Sequence, residues 1–76
     1  MIKIPVYLRD MYDAKHLVQA ASGCQKDVEL ICGRYIVDAK SLLGLMNLGF
    51  DQKIELKVYD EECDDLWKEL DKFVAA

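Results

Sequence analysis

Ile2, Ile4, Val6 and Leu8 alternate with Lys3, Pro5, Tyr7 and Arg9 at the start of the chain. A period of two predicts a strand with one buried face. Pro5 has no N–H to give to a ladder, which assigns the strand to a sheet edge. The period then changes: Met11, Ala14, Leu17, Val18 and Ala21 recur at helical spacing. Asp10 precedes them as an N-cap, Asp13 adds negative charge to the first turn, and Gly23 suits the helix end. Val28, Leu30 and Cys32 alternate again, Gly33-Arg34 supplies a turn, and Tyr35, Val37 and Ala39 return as the second arm of a hairpin. Ser41 is placed to cap a short helix over Leu42 to Leu48, ended by Gly49. Ile54, Leu56 and Val58 form a fourth strand with Lys53, Glu55, Lys57 and Tyr59 facing outward. In the last helix Cys63, Leu66, Trp67, Leu70, Phe73 and Val74 share one face, and Glu61, Asp64, Asp65, Lys68, Asp71 and Lys72 cover the other.

The string is βαββαβα, and four strands with all helices on one face make a two-layer α+β open-faced sandwich. The far face of the sheet then meets water, which accounts for its Lys and Glu residues. A chain of 76 residues has room for a single domain, 1–76. At this length only about 60% of the unfolded surface is buried, so the stability margin is thin.

Charge and composition narrow the function classes. The chain is 53% hydrophobic, too apolar for disorder, and its 10 basic and 14 acidic side chains give a net charge of -4. That balance gives no drive toward nucleic acid or anionic lipid. No apolar run approaches the roughly 20 residues of a membrane span, and Met1-Ile2-Lys3-Ile4-Pro5 lacks the build of a signal peptide. Cys24, Cys32 and Cys63 are odd in number and form no CxxC. They read as reduced thiols of a cytoplasmic protein, Cys32 and Cys63 on core faces and Cys24 exposed in a loop.

No enzyme site can be assembled. His16, the one histidine, falls about 200° around its helix from Ala14, on the solvent side, with Gln19 and Ala20 as its i+3 and i+4 neighbours. That gives no metal site. The acids of Asp60-Glu61-Glu62 and Asp64-Asp65 lack calcium-loop spacing and suit a helix start. No Gly-rich phosphate loop, Ser-His-Asp or Cys-His set is present, and no cofactor is implied. The short helix is unusual, because Leu42, Leu43, Leu45, Met46 and Leu48 spread over roughly 220°. One sheet covers little more than half of that arc, so part of the set is available as a protein-binding patch.

Val18-Gln19-Ala20-Ala21-Ser22, the hairpin, and Lys40-Ser41-Leu42-Leu43-Gly44-Leu45-Met46-Asn47-Leu48-Gly49 resemble the HPr phosphocarrier family of the bacterial sugar phosphotransferase system. The resemblance runs ungapped from about Leu17 to Val58 and implies an antiparallel sheet of order 1-4-2-3, with the first strand at an edge. The family opens its first helix with Gly-Leu-His-Ala-Arg-Pro-Ala, whose histidine takes a phosphoryl group from Enzyme I. Here the positions read Leu8-Arg9-Asp10-Met11-Tyr12-Asp13-Ala14, so Asp10 replaces the acceptor and Tyr12 the arginine. His16 lies deeper in the helix, at an aliphatic position of the family. The resemblance also places Ser41 at the family's regulatory phosphorylation site. It puts Leu42, Leu43 and Met46 in solvent as partner contacts, and Leu45 and Leu48 on the sheet.

The expectation is therefore a non-catalytic, HPr-like, cytoplasmic protein that binds proteins of the phosphotransferase system, a regulator or a kinase, under control of Ser41. A phosphocarrier using Asp10 or His16 is the first alternative. A ferredoxin-like module for a small ligand is the second, and strand order separates it from the others.

Overall fold

The first strand carries Pro5 opposite Glu55, at one margin of the sheet. The structure is a computed structural model and describes residues 1–73. Its elements are β1 (Ile2–Leu8), α1 (Met11–Ser22), β2 (Val28–Cys32), β3 (Tyr35–Asp38), α2 (Leu42–Leu48), β4 (Gln52–Val58) and α3 (Asp64–Leu70). The strands form one antiparallel sheet in the order β1-β4-β2-β3. A ferredoxin-like sheet holds its first strand in the interior; here β1 lies at the edge, so that alternative is set aside.

The register explains the core. Val6 faces Ile54, and Val28 and Leu30 face Val58 and Leu56. These residues are buried with Leu8, Ala14, Leu17, Ala21, Leu45, Leu66 and Phe73. Fully burying a side chain of Leu or Val size stabilises by about 1.5–3 kcal/mol, which offsets the ordering entropy of a chain this short. Ile4 and Trp67, expected in the core, are only half-buried against its rim. The helix expected to reach Val74 ends at Leu70; Val74 itself lies outside the described residues.

The turns show why the chain reverses where it does. Gly33 has φ 61° and opens the two-residue β2–β3 turn, a position that favours glycine. Gly49 at φ 83° ends α2, and Asp51 follows at φ 65°, a conformation Asp tolerates better than most residues. Asp51 is fastened there: its N–H donates to the Leu8 carbonyl at 2.9 Å, and its carboxylate accepts from the Tyr7 hydroxyl. The α2–β4 turn is thus tied to the end of β1, from which the first helix departs.

Candidate functional site

Asp10 sits in extended backbone (φ -160°) between β1 and α1. Its Oδ1 accepts the Asp13 N–H at 3.1 Å, and its carbonyl accepts the Ala14 N–H at 3.2 Å. This is the N-cap expected from the sequence. Asp13 does more than add charge to the first turn. It is only 6% exposed, and Arg9 converges on it three times. The Arg9 backbone N–H and Nε donate to Oδ2 at 2.9 and 3.0 Å, and Nη2 donates to Oδ1 at 3.2 Å. The Arg9 guanidinium, donating to Asp13, holds its carboxyl below the ordinary value of 3.8 against the opposing effect of burial. Arg9 and Asp13 are four apart in the sequence, but Arg9 lies before the helix, so helical periodicity does not reveal the clamp.

This arrangement has a chemical consequence. Two carboxylates, the Asp10 cap and Asp13 in the first turn, stand at the start of α1 and oppose the approach of an anion there. The adjacent guanidinium is already engaged by Asp13, and Tyr12 is exposed and carries no cationic group. His16 is exposed, as expected, roughly 9 Å farther along the helix axis than Asp10. It lines a shallow groove between α1 and α3 with Gln19, Ala20, Asp65, Lys68 and Glu69. Among the described residues no group of three or more His, Cys, Asp or Glu side chains could hold a metal ion.

At the second helix Ser41 is again extended (φ -109°), and its Oγ accepts the Gly44 N–H at 3.3 Å. Lys40 turns inward, its Nζ donating to the Cys24 carbonyl at 2.8 Å. Leu43 is 69% exposed and Met46 43%, while Leu45 is 1% exposed. Leu42 departs from the expectation: it is half-buried and packs on the core. Its position about 60° from Leu45 around the helix, against about 160° for Leu43, puts it on the inner flank. Leu48 is likewise half-buried. The exposed apolar pair on α2 is therefore Leu43 and Met46. Helix α2 packs beside α1, and Met11 and Tyr12 add exposed apolar surface on the neighbouring helix.

The cysteine reading is corrected. Cys24 and Cys63 form a disulfide, with Cα atoms 5.1 Å apart, and both are buried. The α1 C-cap Gly23 takes a right-handed conformation (φ -77°), so the chain curls back under the helix and brings Cys24 to the start of α3. Cys32 is the free thiol; it is half-buried and donates to the Gln52 Oε1 at 3.5 Å. The acids before α3 also have a more local task. Asp60 accepts the Gln25 and Glu62 N–H groups at 3.1 and 3.0 Å, closing the loop that carries the bridge.

The comparisons agree with this architecture. The family model described as the PTS HPr component phosphorylation site matches residues 11–76, beginning one residue past Asp10. A crystal structure of HPr-C-His from Thermoanaerobacter tengcongensis superposes with a TM-score of 0.74 at 23% identity, covering 95% of this chain and 93% of that one. No curated protein matches. No helix among the described residues is long and apolar enough to cross a membrane. The family match over most of the chain, with the 1-4-2-3 sheet and its three helices, places the chain in the HPr family of the phosphotransferase system.

Proposed function

We propose that this chain is a non-catalytic HPr-family protein, a single domain over 1–76, that works by binding partner proteins and does not accept phosphate at the start of α1. The observation that carries the reading is the Asp10 cap. Its carboxylate is committed to the Asp13 N–H, and the one nearby guanidinium is committed to Asp13. A fixed negative charge thus stands where the family has a transient one.

The partner surface in this reading is Leu43 and Met46, with Leu42 contributing its exposed edge, beside Met11 and Tyr12. The partners are proteins of the phosphotransferase system, a regulator or a kinase; family membership alone supports a cytoplasmic place for them, since the bridged cysteines do not. Ser41 is the control point. A phosphate there adds close to two negative charges beside an apolar patch, which weakens an apolar partner and favours one that presents arginine. The test is a titration of the isotope-labelled chain with Enzyme I, followed residue by residue. The reading expects shifts at Leu43, Met46 and Tyr12, abolished by Leu43→Asp, with no phosphoryl group acquired. Shifts centred on other faces, or none with any protein of the system, would count against it.

A further inference from the structure

The two margins of the sheet are treated differently. At β1 the Pro5 nitrogen has no hydrogen, and the outward Tyr7 N–H donates to the Phe73 carbonyl at 2.7 Å. That edge is closed to another strand. At β3 the Ala39 N–H donates to the Val28 carbonyl at 2.8 Å, which fixes the alternation: Tyr35, Val37 and Ala39 address β2, while Ile36 and Asp38 address the outside, with Arg34 just before them on the turn. The Ile36 N–H and carbonyl and the Asp38 N–H have no backbone partner among the described residues. Tyr35 and Ile36 are 65% and 60% exposed. No proline or lysine guards this edge.

We infer that β3 is a self-complementary docking edge, and that its occupant is the β3 strand of a second copy of this chain, paired antiparallel about Ile36. The charge pattern names the occupant. With Ile36 opposite Ile36 of the second copy, the turn that carries Arg34 comes beside Asp38 of that copy, within reach of the long guanidinium side chain, and the two-fold repeats the pair at the other end. The same register satisfies the central free backbone groups, because the two Ile36 residues exchange both bonds.

The neighbouring strands support this register. On the outer face Asp38 stands directly opposite Glu29, a like-charge pair, and Glu29 stands opposite Lys57. An arriving Arg34 gives the uncompensated end of that row its cation. Between the charged rows Ile31 lies opposite Ile36, so pairing joins the isoleucines of both copies into one apolar strip across the axis. A strand of four residues buries little area, which makes the dimer weak and concentration-dependent.

Sedimentation equilibrium of the intact, oxidised chain tests this, from about 10 μM to about 1 mM, the range of a weak complex. The weight-average mass should rise from 8.7 kDa toward twice that value. Ile36→Lys and Arg34→Glu should each hold it at the monomer mass, with unchanged circular dichroism as the check on folding. Because Asp38 also accepts the Lys40 N–H at 2.8 Å, it is left unmutated. Amide exchange on the parent chain reads the edge instead: the Ile36 amide should slow as concentration rises. A mass fixed at 8.7 kDa throughout overturns the proposal. So does association that survives both variants, or that leaves the Ile36 amide unprotected.

Discussion

Arg9 grips the carboxylate of Asp13 from two directions, with its backbone N–H at 2.9 Å and its side-chain Nε at 3.0 Å on the same Oδ2. The clamp ties the end of β1 to the first turn of α1. It also engages the guanidinium next to the Asp10 cap, the group on which the proposed absence of carrier chemistry rests.

The clamp makes stability depend on pH in a defined direction. Arg9 lowers the Asp13 carboxyl below its ordinary value of 3.8, so the unfolded chain takes up this proton first as acid is added. The contribution is complete above the ordinary value and is lost as pH falls through the lower folded value. Denaturant melts from neutral pH down into that range should show the parent losing stability. Asp13→Asn should be less stable at neutral pH and flatter in acid. Equal acid sensitivity of the two proteins would mean that other carboxylates control it.

Helix α2 separates packing from surface within a few residues. Exposed Leu43→Ala should change stability by about 0.5 kcal/mol or less. Leu45→Ala, at a core position, should cost on the order of 2–5 kcal/mol. Urea midpoints of the two variants decide this, and similar large losses would make Leu43 a core residue and remove the proposed patch.

The bridge between Cys24 and Cys63 closes a span of 39 residues. In the chain-entropy account this stabilises by about 4 kcal/mol. A Cys24→Ala/Cys63→Ala variant should shift the denaturation midpoint accordingly. The bridged sulfurs carry no thiol, so in the denatured chain without reductant only Cys32 should react with a thiol reagent. Intact mass showing three labelled thiols without reductant would contradict the bridge.

Much of the fold was legible because the periods are clean. Each strand alternates, Pro5 marked its edge, and Ser41 and Asp10 marked two helix starts. What stayed hidden was long-range or depended on a small rotation. The Cys24–Cys63 pair is 39 residues apart in a chain of 76, and an odd cysteine count suggests free thiols where it means one bridge and one thiol. Leu42 looked like surface by family position, yet 60° of helix rotation draws it onto the core. Arg9 precedes the helix, so no helical periodicity could announce its hold on Asp13. At the candidate site the Asp10 cap was readable from residue type alone, but the engagement of the neighbouring guanidinium was not.

Ser41 now caps α2 through the Gly44 N–H, and Ser41→Ala should cost about 1 kcal/mol. Incubation with an HPr kinase and ATP, followed by peptide mapping, should place one phosphate on Ser41, and the melting curve of the product should remain cooperative. No gain in mass, or a phosphate on another residue, would leave Ser41 as a helix cap only.

The most direct test of the central claim is phosphotransfer itself. The chain is incubated with labelled phosphoenolpyruvate and Enzyme I beside an HPr that carries the histidine, and the products are separated before and after acid treatment. The expected result is label on the histidine-bearing HPr and none on this chain. Asp10→His alone should fail to restore full transfer, because Tyr12 brings no cation to the start of α1 and Arg9 is held by Asp13. An acid-labile phosphoprotein formed from the unmodified chain would contradict the account.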